Sequence, residues 1–298
     1  TIWSEDFEGL ELGPNVDEGL AGEQVWTKTP PAGWFINDEE VPGTWAWQGL
    51  EDEEGYPELD GVTEWAGWSI ADVKWWSQTA GNQRRSEFTK AIGAAAIADG
   101  DEWDDSAREG GNMNAFITTE AISLDGIMEN SLVLRFHSSW RPEVLQKAVI
   151  EATFDDGDPI EIMRWESEGG DAAYYHDHNP NETVNISINN PDGAGTVKFT
   201  FGYLDAGNNW WWAVDNLILA GEPKPIFAEN FDGLELGGFE SSTESGGDGT
   251  DWTATAPTGW VTAKADDHGP TADGEAVKEF DGWTFLDPVS WNATAGQD

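Results

Sequence analysis

The chain has 298 residues, enough for one large domain or two ordinary ones with an apolar core. It carries 58 Asp and Glu against 14 Lys and Arg, a net charge of −44. That balance excludes nucleic acid as a natural partner, because phosphate binding needs clustered basic residues. No stretch approaches the roughly 18 apolar residues of a transmembrane helix, so the sequence predicts no membrane span.

The residue usage indicates an all-β protein. Glycine (35 residues) and aromatics (12%) are frequent, and short apolar runs are broken by turn-forming residues. Cysteine is absent, so a secreted domain of this kind depends on core size or on metal ions for stability. Many carboxylates favour calcium over zinc. Salt adaptation and solubility are the other two explanations of the acidity.

The opening phrase "WSEDFEGLELGP" (3–14) returns as "FAENFDGLELGG" (227–238). Two further segments return in the same order: "WTKTPPAGW" (26–34) as "WTATAPTGW" (252–260), and "EWAGWSIADVKWW" (64–76) as "EFDGWTFLDPVSW" (279–291). The offset between copies drifts, as insertions in surface loops would produce. We therefore expect a complete module in 1–221, a Pro-bearing linker at 222–225 and a truncated second copy in 226–298.

The second copy repeats only the first third of the pattern. Half a sandwich leaves an apolar face and strand edges unpaired, which makes it unstable or adhesive. Two explanations stay open. Either the chain is cut from a longer tandem protein, or another chain completes the segment.

The later part of the first copy predicts strands in close succession. Each apolar run is bounded by Gly, Asn, Asp or Pro: 114–124, 130–140, 147–157, 160–165, 183–190, 196–207 and 210–221. Phe199, Phe201 and Tyr203 alternate with polar or small residues, the period of a half-buried strand. The segment 155–159 predicts a hairpin turn. The predicted fold is a jelly-roll β-sandwich, followed by the incomplete second copy.

The two ends of the first copy carry a resemblance. "EDFEG" (5–9) and "WAVDNL" (212–217) resemble the ends of MAM, concanavalin-like and carbohydrate-binding jelly-roll modules. In such modules the first and last strands pair, and a carboxylate on each often holds calcium. The resemblance implies calcium ligands at Glu8 and Asp215, with Asp6 as a further candidate. The alternative is that these acids face solvent.

A second resemblance lies in "WAGWSIADVKWWSQTAGNQRRSEFT" (65–89) and "IADGDEWDD" (97–105). These segments resemble a tandem repeat of large secreted proteins of marine and planctomycete-type bacteria, where it is often appended to phosphoesterases or other hydrolases. The resemblance implies an extracellular, cell-surface accessory module. It does not supply a ligand.

The densest acidic run is "DGDEWDD" (99–105). It lacks the glycine and the terminal glutamate of an EF-hand, so a different calcium loop is the functional hypothesis. Its ligands would be Asp99, Asp101, Asp104 and Asp105. A solvated acidic turn is the alternative. The adjacent Arg84 and Arg85 are expected to pair with internal carboxylates.

Tryptophan is concentrated at 65–76 and 210–212. Successive strand residues face opposite sides, so three consecutive indoles cannot all face one core. An exposed indole can stack on the apolar face of a sugar. The candidate glycan-binding residues are Trp75, Trp76, Trp210, Trp211 and Trp212, with Asn208 and Asn209 as polar neighbours. Coverage by loops is the alternative.

The sequence lacks the motifs of common hydrolases and nucleotide-binding enzymes, so we expect a non-catalytic protein. The preferred interpretation is an extracellular calcium-stabilised module that binds glycan or anchors a larger secreted protein. One alternative is a structural or adhesive subunit of a filament, whose partners are neighbouring copies of the same repeat. A second alternative is an accessory part of a secreted hydrolase.

Overall fold

A computed structural model describes residues 1–14, 24–41, 62–78, 81–105, 112–225, 227–237, 252–262 and 283–289. The chain divides into two compact units, Thr1–Lys224 (unit 1) and Pro225–Asp298 (unit 2).

The first sheet of unit 1 has eight strands. Their bounds are β1 Trp3–Glu5, β2 Gly13–Pro14, β3 Gln24–Thr27, β5 Trp68–Asp72, β6 Ala94–Asp99, β9 Leu132–Trp140, β12 Asn179–Ile188 and β14 Trp211–Ala220. They lie in the order β12-β9-β14-β6-β5-β3-β2, and β1 also pairs with β14. All the pairs are antiparallel.

The second sheet has six strands: β4 Phe35–Glu40, β7 Met113–Thr118, β8 Ile122–Ser123, β10 Lys147–Phe154, β11 Ile160–Glu166 and β13 Thr196–Ala206. Their order is β11-β10-β13-β7-β4, and β8 also pairs with β13. The predicted turn at 155–159 joins β10 to β11. Inward-facing side chains of the two sheets meet in one core, where the Phe136 and Phe201 rings lie 5.8 Å apart. The predicted all-β sandwich is confirmed.

Two short helices lie outside the sheets: α1, Val73–Trp76, and α2, Gly100–Asp104. Single 3₁₀ turns occur at Thr63–Trp65 and Arg85–Glu87. Within the described ranges, no helix is both long enough and apolar enough to cross a bilayer.

The strand β14 is an interior strand of the first sheet, with a partner along each edge. Along one edge it pairs with β9. Along the other edge it pairs with β6 at residues 211–214 and then with β1 at residues 217–219. Asp215 and Asn216 lie where the partner changes. The fold thus brings the start of the chain, the start of β6 and the middle of β14 to one point.

The described part of unit 2 contains β15 Trp252–Thr253 and β16 Phe285–Leu286, which pair antiparallel. Trp252 lies opposite Leu286, just as Trp26 lies opposite Ala71 in unit 1. The turn at Phe7 in unit 1 recurs with the same geometry at Phe231 in unit 2. The Phe7 amide donates to Glu5 Oε1 at 2.6 Å, and the Phe231 amide donates to Glu229 Oε1 at 2.7 Å.

Candidate functional site

Asp215 and Glu8 form a carboxylate pair at the point where β14 changes partner. The side chain of Asp215 is fully buried. Its Oδ2 accepts from the Ile92 amide at 3.2 Å, and its Oδ1 accepts from the Asn216 amide at 2.6 Å. Glu8 Oε1 accepts from the Ala94 amide at 3.0 Å. The two carboxylates therefore hold the same short stretch of backbone, two residues apart, just before and at the start of β6.

The backbone around this pair is locally constrained. Phe7 and Asn216 both have positive φ, +59° and +53°, which is uncommon for residues other than glycine and recurs at functional sites. Gly93 lies between the two amides with φ +65°. A Cβ atom there would lie 2.1 Å from Glu8 Oε1. Only glycine therefore lets Glu8 approach the backbone this closely.

The electrostatics of the pair are unfavourable without a counter-charge. Burial raises the pKa of Asp215 to about 7, with a smaller contribution in the same direction from the charges of Glu8 and Asp6. Hydrogen bonds from Ile92 and Asn216 only partly oppose this. An ionised Asp215 at neutral pH is therefore costly in the folded state.

Calcium fits the donor chemistry of this point, because carboxylate and backbone carbonyl oxygens are its usual protein ligands. The structure brings the predicted ligands Glu8 and Asp215 together, with Asp6 next to them in the opening turn. Among the described residues, no group of three or more His, Cys, Asp and Glu side chains is assembled as a metal site. A cation here would thus depend on the two carboxylates together with backbone oxygens or water.

The acidic run 99–105 has a different structure from the expected calcium loop. Asp99 caps α2 by accepting from the Glu102 amide at 3.3 Å, and its other oxygen accepts from Trp76 Nε1 at 2.8 Å. The fully buried Arg85 guanidinium lies 3.1 Å from Asp99 Oδ2 and hydrogen-bonds Glu102. Asp101 lies at its edge, 3.8 Å from Arg85.

These contacts correct the expectation for Asp99, Asp101, Asp104 and Asp105. A buried arginine supplies the positive charge that a cation was expected to supply. Asp104 instead accepts from Asn208 Nδ2 at 2.7 Å, and Asp105 is exposed. The predicted pairing of the two arginines with carboxylates of the chain is confirmed. Arg85 pairs with Asp99 and Glu102, and Arg84 pairs with Glu87 at 2.7 Å.

Four of the five candidate sugar platforms are buried. The three consecutive indoles alternate faces as expected. Trp212 points into the core, 5.4 Å from the Trp68 ring, whereas Trp211 lies on the other face beneath Arg85 and Trp76. Coverage of that outer face explains why none of these rings reaches solvent: Trp75, Trp76, Trp211 and Trp212 are at most 5% exposed. They are therefore unavailable for stacking on a sugar.

The remaining candidates lie on loops at one end of the sandwich. Trp210 is half-buried, and the Arg141 guanidinium stacks 3.4 Å from the centre of its ring. Asn208 is exposed. Asn209 is nearly buried and has a structural role, because its Nδ2 donates to the Val144 carbonyl at 3.1 Å.

Sequence reasoning missed two exposed aromatics near this end, Tyr174 (44% exposed) and Tyr175 (53%). They follow β11, and their loop contacts the β9–β10 loop, where Val144 and Leu145 are also half exposed. The Leu145 amide donates to the Glu168 carbonyl at 3.0 Å, which joins the two loops. We call Val144, Leu145, Tyr174, Tyr175 and Trp210 the loop surface. Two adjacent tyrosines in a polar, turn-rich segment, "YYHDHNPN", are the sequence feature that could have indicated these exposed rings.

Unit 2 contains a cleft of about 740 Å³. We call it the unit 2 cleft. Its lining is largely apolar and includes Phe231, Leu234, Leu236, Trp260, Val261, Trp283, Phe285 and Leu286. The polar residues at its edge include Asn230, Asp232 and Asp287.

The fold and these sites define a β-sandwich module with a carboxylate pair at the junction of its first and last strands. No family model matches the chain, and no curated protein matches it. Solved structures do align with it. The K1 cleaved adhesin domain of Lys-gingipain from Porphyromonas gingivalis is 11% identical, with a TM-score of 0.40, over 74% of this chain and 98% of that one.

Two further solved structures are similar at the same level. TmCBM61 in complex with β-1,4-galactotriose is 10% identical, with a TM-score of 0.33, over 64% of this chain and 90% of that one. An apo form cyclase from Fischerella sp. is 11% identical, with a TM-score of 0.37, over 74% of this chain and 93% of that one. Likenesses this distant carry no argument about what this chain binds, so the proposals below rest on its own residues.

Proposed function

We propose that unit 1 is a non-catalytic extracellular binding module that is stabilised by calcium between Glu8 and Asp215 and attaches to glycan through its loop surface. The observation that carries the calcium proposal is the position of the fully buried Asp215 carboxylate. It lies beside Glu8 at the point where β1, β6 and β14 meet. A buried charge of this kind requires a partner, and the charges acting on it from Glu8 and Asp6 are negative.

Calcium would supply positive charge between carboxylates that otherwise repel one another. Binding would stabilise the junction of β1 with β14, because Glu8 follows β1 while Asp215 belongs to β14. A ligand that binds only the folded state adds RT ln(1 + [L]/Kd), which is about 3–4 kcal/mol at 100 to 1,000 times Kd. That energy corresponds to several degrees in melting temperature for a domain of this size.

The glycan part of the proposal rests on the loop surface. Tyr174 and Tyr175 are about half exposed, and the Arg164 guanidinium lies over the Tyr174 ring, 5.4 Å from its centre. Tyrosine rings of this kind bind sugars by stacking and by hydrogen bonds from the phenol. Tyr175 Oη also lies 3.4 Å from Asp177 Oδ1, an acceptor for sugar hydroxyls. The loops are held by β-strands of the core, which suits a preformed site.

The first test is a thermal melt in calcium and in excess chelator, at fixed high ionic strength. We expect a calcium-specific rise in melting temperature that is lost in Glu8→Gln and Asp215→Asn. Asp125→Asn is the matched control, because Asp125 is an exposed acid remote from β14 in sequence. An equal shift with sodium, or a calcium shift retained in both variants, would contradict the site.

The second test is a glycan array in calcium, followed by binding to any glycan that is retained. Tyr174→Ala and Tyr175→Ala should each reduce affinity by about 5- to 150-fold, the range of 1–3 kcal/mol for a stacked aromatic ring. Phe35→Ala is the control, since Phe35 is an exposed aromatic of unit 1 on β4. Equal loss in all three variants would contradict the loop surface as the binding site.

A further inference from the structure

Three basic side chains converge at the end of unit 1 that carries the loop surface. Arg84 Nη1 lies 3.4 Å from His178 Nδ1, and Arg141 Nη1 donates to the carbonyl of Gln83, the residue before Arg84. The Arg141 guanidinium also stacks on the ring of Trp210, which belongs to the loop surface. Lys and Arg are scarce in this chain, 14 against 58 acids, so a cluster of basic groups requires a physical reason.

Arg141 has no carboxylate partner among the residues that the structure describes. Arg84 pairs with Glu87, and Arg85 pairs with Asp99. The half-buried Arg141 side chain instead contacts a backbone carbonyl and an indole ring. Burial lowers the pKa of Arg141, and the charge of Arg84 contributes in the same direction. A guanidinium stays protonated in proteins, so this partly buried charge lacks a neutralising group, and an oxyanion would supply one.

The geometry of Arg141 suits an oxyanion. Its ring contact with Trp210, 3.4 Å from the guanidinium carbon to the ring centre, fixes the plane of the guanidinium. Stacking on an indole uses the face of this group and leaves the N–H groups at its edge. One nitrogen donates to the Gln83 carbonyl, and the fork of remaining donors matches the paired oxygens of a carboxylate or a sulfate.

His178 and Gln83 each have one buried polar atom that lacks a partner in the described part of the chain. Arginine has donors only, so His178 Nδ1 accepts from Arg84 and His178 Nε2 carries the ring proton. Nε2 therefore lacks an acceptor, whereas Gln83 Oε1 lacks a donor. Buried polar atoms are normally paired. A sugar acid carries both missing kinds of group, because its oxyanion accepts and its hydroxyls donate.

The turn beside this cluster is held in an uncommon backbone conformation. Residues 81–84 have successive φ values of +71°, +76°, +41° and +78°. Residues other than glycine rarely adopt positive φ, and such conformations recur at functional sites where the surrounding contacts hold them. Here Asn82 Oδ1 accepts from the Ser86 amide at 2.9 Å. The turn thus fixes the Gln83 carbonyl that accepts from Arg141.

We infer that unit 1 binds an acidic sugar at this point, with the carboxylate or sulfate of the sugar against Arg141 and His178 and beside Arg84. The inference rests on the glycan attachment proposed above and names the class of sugar. The site is continuous with the loop surface, because Arg141 stacks on Trp210 and because His178 follows Tyr175 in one loop.

The acidity of the chain restricts which acidic glycan fits. The net charge is −44, so a uniformly charged polymer would be repelled along most of its length. A single acidic sugar responds to the local charges, since at about 0.15 M ionic strength exposed charges more than about 8 Å away are largely screened. The neighbouring charge with the largest effect on Arg141 is the positive charge of Arg84. The expected ligand is therefore a glycan whose acidic sugar is terminal or sparse.

The test begins with a glycan array that presents each oligosaccharide in three forms, which differ only in whether one terminal sugar is neutral, a uronic acid or sulfated. We expect the 298-residue chain to retain an acidic form in preference, and the preferred form identifies the oxyanion. Calorimetric titration should give about 10- to 150-fold higher affinity for the acidic form than for the neutral form, the range of 1.5–3 kcal/mol for hydrogen bonds to a charged group.

The array separates failure of this inference from failure of the proposed function. Equal retention of neutral and acidic forms would overturn the inference and leave glycan attachment standing. An array that retains no form of any oligosaccharide would refute glycan attachment and the inference with it.

Variants of two arginines locate the site. Arg141→Gln should remove the preference for the acidic form and change the affinity for the neutral form by less than about 3-fold. Arg135→Gln is the matched control, because Arg135 is an exposed arginine of β9 and its removal takes away the same charge elsewhere. Arg141→Lys keeps the charge but lacks the planar fork, so it should keep only part of the preference.

The ratio of the acidic to the neutral affinity is the decisive quantity, because both forms need the same folded protein and a destabilised variant lowers both affinities alike. Tyr175→Ala should weaken both forms equally and leave this ratio unchanged. Raising NaCl to about 1 M should lower the ratio, since salt screens the ion pair. A ratio that is retained in Arg141→Gln, lost equally in Arg135→Gln or independent of salt would overturn the inference.

Discussion

Removing the charge of Asp215 should change how the stability of unit 1 depends on pH. The folded state raises the pKa of this carboxyl from 3.8 to about 7, so the folded protein holds a proton that the unfolded chain has already released. Stability is then fully present below about pH 4 and is lost as pH rises towards 7. Asp215→Asn has no such proton to lose, and its Nδ2 and Oδ1 keep a similar shape.

The magnitude follows from the shift. A change of 3.2 units, from 3.8 to about 7, corresponds to at most about 4 kcal/mol at 1.36 kcal/mol per unit. In calcium-free buffer, we expect Asp215→Asn to gain stability relative to the unmodified protein between pH 4 and 7.5, by an amount approaching this limit. In calcium at pH 7.5 the order should reverse, because only the unmodified protein gains binding energy.

The assay is urea unfolding followed by tryptophan fluorescence, at fixed ionic strength and several pH values. Asp125→Asn serves as the control for a general loss of negative charge. The difference between the two pH profiles isolates Asp215 from the other carboxylates, which change in parallel. Parallel profiles for the unmodified protein and Asp215→Asn would refute the reasoning, because they would mean that this carboxyl is not destabilised by ionisation in the folded state.

Two substitutions test other parts of the same structure, both by urea unfolding. Gly93→Ala should cost at least about 2 kcal/mol of stability and weaken the calcium-dependent rise in melting temperature, because a Cβ would displace Glu8. The control is Gly126→Ala, which also lies at positive φ but has nothing within 4 Å of the new Cβ, and it should cost only about 1 kcal/mol. Equal costs would contradict the proposed contact. Arg85→Met should cost about 3–5 kcal/mol by leaving buried acids unpaired, whereas Arg84→Met, at an exposed pair, should cost less than about 1. A small loss at Arg85 would mean that the carboxylates there are neutral.

The sequence pattern predicts a strand such as β13 well because one of its faces is buried and the other is less buried. Phe199, Phe201 and Tyr203 alternate with Lys198 and Thr200 in β13, and the structure buries the aromatic set. The strand β6 lacks this alternation and is not predicted from the sequence pattern. All six of its residues are buried, so its alanine-rich sequence shows no period of two.

Whether a site residue could be predicted depended on whether its partner could be identified from the sequence. A resemblance between the chain ends suggested Glu8 and Asp215, and sheet pairing brings them together. The acids at 99–105 were misread because the charge that neutralises them, Arg85, lies 14 or more positions earlier and becomes their partner only through folding. The sequence suggests Trp211 as a possible platform because the residues that cover it, Trp76 and Arg85, belong to short helical turns without strand periodicity.

The pairing of β1 with β14 has a mechanical consequence. Because the two strands are antiparallel and Trp3 lies opposite Leu219, the chain enters and leaves unit 1 at neighbouring points. A force applied between Thr1 and Ala220 pulls β1 away from β14 at right angles to the strands, so that their hydrogen bonds break one after another. Only three residue pairs precede the junction of Glu8 with Asp215. The next contact to open is the hydrogen bond from the Ala94 amide to Glu8. A calcium ion held between Glu8 and Asp215, as proposed above, would add resistance at the same point.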